Sequence, residues 1–348
     1  MNLLEYRSIA DMNRLILENL YKLSHDIDLV VGVPRSGMLP ANLIALYLNK
    51  PFTDINSFVS DGRIYLSGDR GNGLDISNIK KILLVDDSIA SGKAMSKAKE
   101  YIAPVADRYE VTYGVVFAMT SSKDQVDFYC EIIDAPRVFQ WNIFHHSLLN
   151  KACFDMDGVL CVDPPVDDDG PQYLDYIENA IPLYIPTVTI DTIVTCRLEK
   201  YRQPTEAWLD RHHIKYNRLV MLPFSTKAER IKWGKHGEYK GKTMKESGNI
   251  LFVESSLEQA HEINHISCCP VFCTETFSLI DRNKEIKLAQ FRTKKSLKSM
   301  VKTTLGRNYS KVIDYLRRHR GGVNACDIDE YTILTALGHN NDYRYARA

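Results

Sequence analysis

Short apolar runs alternate with amphipathic stretches through the first 275 residues, the pattern of parallel sheets flanked by helices. Residues 29–33, 82–85, 112–118, 151–154, 189–194, 218–222, 250–253 and 271–273 read as strands. They fall into two α/β sets. Between the sets, residues 141–150 (Trp-Asn-Ile-Phe-His-His-Ser-Leu-Leu-Asn) follow neither the helical nor the strand period and mark a junction. The expected division is therefore residues 1–145, residues 150–280, and a basic, helical segment 281–348.

With 348 residues, 45% hydrophobic and 25% charged, the chain is long enough for two cores. No apolar run approaches the ~18 uncharged residues a membrane span needs, and Met1-Asn2-Leu3-Leu4-Glu5 lacks the charged and apolar blocks of a signal peptide. A cytoplasmic location is expected. The eight cysteines include Cys268, Cys269 and Cys273 but no paired CxxC units, and Cys130, Cys153 and Cys196 lie in apolar runs, so buried free thiols are expected. Net charge is zero but unevenly spread. Residues 282–320 carry thirteen Lys or Arg against Glu285 and Asp314, a block that suits nucleic acid, another polyanion or an anionic membrane surface, or else a solvated helix face.

The run Lys81-Ile82-Leu83-Leu84-Val85 ends in Asp86 and Asp87, then Ser88-Ile89-Ala90-Ser91-Gly92, before a helix begins near Lys93. Carboxylates at the carboxyl end of a parallel strand lie where α/β sheets bind ligands and can accept hydrogen bonds from vicinal hydroxyls. The small residues that follow can turn backbone N–H groups inward at a helix N-terminus, which makes an anion site. A diol beside a phosphate is ribose 5-phosphate. A Walker A loop would need Gly where the chain has Asp87 and Ser or Thr where it has Ala94.

This run resembles the PRPP-binding motif of type I phosphoribosyltransferases. The resemblance implies that Asp86 and Asp87 bind the ribose hydroxyls and that Ser88, Ile89, Ala90, Ser91 and Gly92 hold the 5-phosphate. Upstream, Pro34-Arg35-Ser36-Gly37 after an apolar strand looks like the same family's pyrophosphate loop, with Arg35 offering a guanidinium fork to phosphate oxygens. Residues 60–73 are polar, hold Arg63 and Arg70, and suit a closing loop. Val126-Asp127-Phe128-Tyr129 and Arg137-Val138-Phe139-Gln140-Trp141 resemble the acceptor segment of xanthine and guanine phosphoribosyltransferases, where an aromatic stacks on the purine, although Gln140 replaces their usual proline.

A second constellation begins at Lys151-Ala152-Cys153-Phe154, an apolar strand delivering Asp155-Met156-Asp157-Gly158-Val159-Leu160. It resembles the first motif of the haloacid-dehalogenase superfamily, in its phosphatase branch. At a spacing of two both carboxylates can face one pocket: Asp155 attacks phosphorus, while Asp157 protonates the leaving alkoxide and then activates water. The resemblance implies Mg²⁺ held by Asp155, Asp157 and Glu254, where most relatives have aspartate in place of Glu254. It also implies phosphoryl contacts from Thr195 and from a lysine. Lys240 is preferred, on a helix shortly before the Glu254 strand, with Lys227 and Lys232 as alternatives. Only 37 residues separate Asp157 from Thr195, room for a minimal cap.

The expected fold class is α/β with two domains, a type I phosphoribosyltransferase fold followed by a Rossmann-like haloacid-dehalogenase fold, plus the basic segment. Together the two resemble the dual-domain ribofuranosyltransferases of bacterial polysaccharide biosynthesis, including O-antigen assembly. That resemblance implies PRPP as donor, a lipid-linked glycan as acceptor, Mg²⁺ as cofactor, and peripheral contact with the inner face of the plasma membrane. No nucleic-acid partner is expected, and self-association stays open. Two other readings stand beside it: a purine phosphoribosyltransferase fused to a nucleotidase, and a regulator that binds PRPP without turnover.

Overall fold

The computed structural model describes residues 4–65, 78–165 and 169–283. Arg70, most of the expected closing loop and the basic segment from residue 284 onward lie outside the described residues. The chain divides into a compact unit Met1–Ile280 and a second unit Asp281–Ala348. The first contains both expected sheets.

The N-terminal elements are β1 (Glu5–Arg7), α1 (Ile9–Asn19), β2 (Leu29–Gly32), α2 (Met38–Leu48), β3 (Phe52–Asp54), α3 (Ile55–Ser60), β4 (Lys81–Ser88), α4 (Lys93–Ala106), β5 (Glu110–Ala118), β6 (Phe128–Ile132) and β7 (Arg137–Phe139). Five of the strands form one parallel sheet in the order β3-β2-β4-β5-β6. Strand β4 is apolar without alternation because both its faces are covered. Leu83 and Val85 pack with Met12, Ile16 and Ile44 of α1 and α2, while Ile82 and Leu84 pack with Phe58, Met95 and Ile102 of α3 and α4. The chain leaves β2 toward β3 on one side and returns to β4 on the other. The crevice between the carboxyl ends of β2 and β4 is the switch point where open α/β sheets bind ligands.

A second sheet is built from β8 (Ala152–Phe154), β9 (Ile190–Leu198), β10 (Tyr216–Leu222), β11 (Leu251–Glu254), β12 (Val271–Cys273) and β13 (Ser278–Ile280). Its order is β10-β9-β8-β11-β12-β13, with only β13 antiparallel. Helices α5 (Pro171–Asn179), α6 (Arg202–Arg211), α7 (Lys227–Trp233), α8 (His236–Ser247) and α9 (Leu257–Ser267) connect the strands. The switch point here lies between β8 and β11. Between β8 and β9, α5 is the one helix among the described residues, and its Tyr173 and Ile177 pack on Leu198 and Tyr201.

The junction has no single period because it faces two ways. Strands β1 and β7 pair in parallel as a small ribbon, and Leu4, Val138, Ile143, Leu148 and Leu149 are buried in one core with Phe154, Trp208 and Phe272 of the second half. Two 3-10 turns, Ile143–His145 and Ser147–Lys151, carry those side chains. The Tyr6 hydroxyl donates to the Phe277 carbonyl at 2.7 Å across the same seam. Among the described residues no helix is long and apolar enough to cross a membrane.

Candidate functional site

The first centre is assembled at the β2/β4 switch point. Gly37 presses the loop after β2 onto β4 so closely that a Cβ there would fall 2.5 Å from the Val33 carbonyl oxygen and 2.8 Å from that of Val85. This seating brings Ser36 to Asp87, whose Oδ1 accepts from the Ser36 hydroxyl at 2.9 Å. Asp87 Oδ2 accepts from the Trp141 indole N–H at 2.7 Å. Asp86 and Asp87 are both buried, and Asp86 Oδ1 accepts from the Asp87 amide at 2.8 Å. Burial first, and then the charge of Asp87, push the Asp86 acid up to about 8.

Beyond them, Ser88, Ile89, Ala90, Ser91 and Gly92 lead into α4, whose N-terminus carries no side-chain cap. Its first N–H groups are therefore free to meet an anion. The Ile89 carbonyl is tied down by buried Arg137 at 2.8 Å, and the Ile89 amide by the Phe117 carbonyl at 2.9 Å, so the start of the turn is fixed from two sides. Burial lowers the Arg137 acid, with Asp87 opposing. Arg35 is exposed. Arg63 is exposed too and pairs with Asp61 at 3.0 Å. Two acids beside an uncapped helix N-terminus can hold a diol and a phosphate at once.

The second centre lies at the β8/β11 switch point and opens on a cavity of about 720 Å³ whose wall includes Asp155, Asp157, Asp163, Cys196, Lys240 and Ser255. Lys240, buried on α8, donates to Asp155 Oδ2 and Glu254 Oε2, both at 2.7 Å. The other oxygens of the two carboxylates take backbone amides: Asp155 Oδ1 from Met156 at 2.8 Å, Glu254 Oε1 from Ser255 and Ser256, both at 3.0 Å. Two acids and one ammonium leave this buried centre short of positive charge. Burial, opposed by Lys240 and assisted by Glu254, pushes Asp155 up to about 8. Burial works against the Lys240 ammonium, but Asp155 and Glu254 outweigh it and raise its acid.

Asp157 is held differently from the expectation. Fully buried Arg197 clamps its carboxylate, with Nη2 on Oδ1 at 2.6 Å and Nε at 3.2 Å from both oxygens, and the Tyr176 hydroxyl donates to Oδ1 at 2.7 Å. Burial would raise this acid, yet the charge and hydrogen bonds of Arg197 keep it below the usual carboxylate range. Gly158, at φ +73, turns the chain out of the site, and a Cβ there would fall 2.5 Å from Ser255. Thr195 is fully buried, accepts from the Arg197 amide at 3.2 Å, and is not among the cavity-lining residues; Cys196 lines the wall instead. Lys232 is exposed and Lys227 half-buried on α7.

For a hard divalent cation, Asp155 and Glu254 are the two carboxylates of the right chemistry, and Lys240, which bridges them and leaves the centre one positive charge short, stands where the cation would have to sit. The Asp157 carboxylate does not join them, because Arg197 already neutralises it. Among the described residues no three His, Cys, Asp or Glu side chains gather as a metal-ligand group. The three-carboxylate set read from the sequence is thus reduced to two acids bridged by Lys240.

Residues 2–149, the portion that carries the first centre, match the family described as the phosphoribosyl transferase domain. Residues 2–149 are a phosphoribosyltransferase domain. Such a domain implies phosphoribosyl transfer from PRPP. Solved structures similar to the chain include the xanthine-guanine-hypoxanthine phosphoribosyltransferase of Helicobacter pylori, at 16% identity over 41% of this chain and 95% of that one, with a TM-score of 0.31. The purine phosphoribosyltransferase of Pyrococcus horikoshii Ot3 is 19% identical over 40% of this chain and 93% of that one, TM-score 0.31. The orotate phosphoribosyltransferase of Aeropyrum pernix is 22% identical over 35% and 70%, TM-score 0.26. No curated protein matches the chain.

Several contacts at the two centres escape a reading of motifs. In the phosphoribosyltransferase domain Arg137 and Trp141 are legible as part of an acceptor-like segment, but their partners are not: the Ile89 carbonyl and Asp87 lie 48 and 54 positions away. At the second centre the side chains themselves escape it: Arg197, Tyr176 and Asp163. Arg197 did leave a signal: it stands two residues after Thr195 on one strand, where i and i+2 share a face in a regular strand, although β9 shifts register between Val194 and Leu198.

Proposed function

We propose that the chain adds ribofuranose in two steps: the phosphoribosyltransferase domain moves 5-phosphoribosyl from PRPP to a glycan hydroxyl, and the second centre then removes the 5-phosphate. The observation that carries this reading is a buried Asp155–Lys240–Glu254 centre opening on a cavity, in the same compact unit as the transferase domain.

In the first step Asp86 and Asp87 accept hydrogen bonds from the ribose hydroxyls, and the turn from Ser88 to Gly92 holds the 5-phosphate at the N-terminus of α4. Arg35, with Ser36 and Gly37, holds the departing pyrophosphate. As the C1–O bond to pyrophosphate breaks, its electron pair leaves with pyrophosphate and positive charge grows on the ring; the acceptor hydroxyl attacks from the opposite face and gives its proton to the departing pyrophosphate, so the α donor becomes a β-riboside. In the second step an Asp155 oxygen bonds to phosphorus while the bond to O5 of the ribose breaks. Lys240 faces the phosphoryl oxygens. Asp157, kept ionised by Arg197, is suited to take the proton of the water that cleaves the acyl phosphate. Asp163 is better placed to give O5 its proton: it lines the same cavity, and burial followed by the charges of Asp157 and Glu254 raises its acid. Mg²⁺, when bound by Asp155 and Glu254, supplies the positive charge that favours ionised Asp155 and offsets the phosphoryl oxygens.

The basic segment 282–320 suits an anionic membrane carrying a lipid-linked acceptor, at the cytoplasmic face. The second reading is a purine acceptor, carried by the resemblance of residues 126–129 and 137–141 to the acceptor segment of xanthine and guanine phosphoribosyltransferases. Mass spectrometry of glycan acceptors incubated with PRPP separates these. Asp155→Asn should accumulate a 5-phosphoribosylated acceptor, whereas Asp86→Asn with Asp87→Asn should abolish transfer and spare hydrolysis of a supplied phosphoriboside. If folded Asp155→Asn stops both reactions, the two-centre scheme is wrong; consumption of free purine with PRPP would establish the other acceptor.

A further inference from the structure

We propose that Trp141 is a positioning residue of the donor site that acts on PRPP through Asp87, not a platform for the acceptor; the inference rests on the PRPP reading of the first centre. Asp87 takes a donor from a different segment on each oxygen: the Ser36 hydroxyl from the loop after β2 at 2.9 Å, and the Trp141 indole from beyond β7 at 2.7 Å. Each carboxylate oxygen has two lone pairs; Oδ1 also takes the Ser88 hydroxyl at 3.5 Å, so Oδ2 is the oxygen left to accept from a ribose hydroxyl while the carboxylate plane is held from two sides. An indole N–H only donates. It can fix the carboxylate's orientation without exchanging a proton with it.

The ring is held for that purpose. Its face stacks on Phe139 at 4.8 Å and 2°, and Phe139 stacks in turn on Phe117 at 4.9 Å. Phe139 is registered on β1 opposite Arg7, and the side chain of Gln140 accepts from the Ile9 amide at 2.9 Å. Gln140, the residue that departs from the proline of the purine enzymes, thus pins the segment that carries Trp141. With one face given to Phe139 and the N–H to Asp87, the indole is oriented by the protein's own donor site before any acceptor arrives.

The test is calorimetric titration of the full chain with PRPP and Mg²⁺ and no acceptor present, because an acceptor platform has no effect there. Trp141→Phe, and the sulphur analogue β-(3-benzothienyl)alanine at position 141, which keeps the bicyclic stack and removes only the N–H, should each weaken PRPP about tenfold or more, the loss expected for a hydrogen bond to a charged group. Trp141→Gln, which restores an N–H donor of similar reach, should recover part of that loss. Wild-type affinity in the benzothienyl protein would overturn the proposal, as would a glutamine variant that folds but binds no better than phenylalanine. A wild-type chain that fails to bind PRPP would instead overturn the reading of the first centre.

Discussion

Asp86 lies at the end of a strand covered on both faces, and the fold holds its acid at about 8 against an ordinary value of 3.8. Between those two values the folded chain keeps a proton that the unfolded chain has lost. Stability from this group is therefore complete below pH ~4 and is lost as pH rises through about 8. Asp86→Asn should raise the thermal midpoint at pH 8 relative to the parent and leave it nearly unchanged at pH 4, as a melting series across pH would read. Asp155 has the same sign, so the variant should keep part of the parent's slope. Arg197 is fully buried on Asp157, and removing one partner of such a pair strands the other charge. Arg197→Met should cost roughly 3–5 kcal/mol in urea unfolding. Adding Asp157→Asn should return much of that loss, since no uncompensated carboxylate then remains.

At the scale of elements, the close seating of the loop after β2 decides whether the first centre forms. Gly37→Ala places a Cβ against two backbone carbonyls, which cannot move aside as a side chain would. The loop must lift from β4 and carry Ser36 away from Asp87. Calorimetry should show PRPP affinity falling at least tenfold, with stability lower by about 1–3 kcal/mol. The same packing explains what the sequence disclosed. Residues 82–85 and 250–253 are legible as strands because both faces of β4 and β11 are buried, and a central parallel strand is written as an unbroken apolar run. The acids at their ends, Asp86, Asp87 and Glu254, are legible for the same reason. Strands β1, β3 and β13, three residues each and only partly buried, read as nothing until a partner fixes their register, whereas the equally short β8 and β12 are wholly buried apolar runs and are legible. The Arg197 clamp and the Trp141 bond were hidden because chain order does not say which strand lies beside which.

At the scale of the whole molecule, the phosphoribosyltransferase domain does not end as a closed surface. Its last residues, Ile143, Leu148 and Leu149, and its first described residue, Leu4, are buried against Phe154, Trp208 and Phe272, which all come from the second half. Phe144 stacks on Tyr184 at 4.5 Å, and Tyr184 lines the cavity of the second centre, so the seam also reaches the site. A fragment ending at residue 150 contains the whole family match yet leaves these side chains in water, at roughly 25 cal/mol for each Å² exposed. Surface of that kind recruits other copies or loosens the fold. The fragment should bind a hydrophobic dye, sediment as associated species, and melt below the first transition of the full chain. A monomeric fragment melting where the full chain does would mean that the seam contributes nothing. The two halves would then be independent domains joined by residues 141–150.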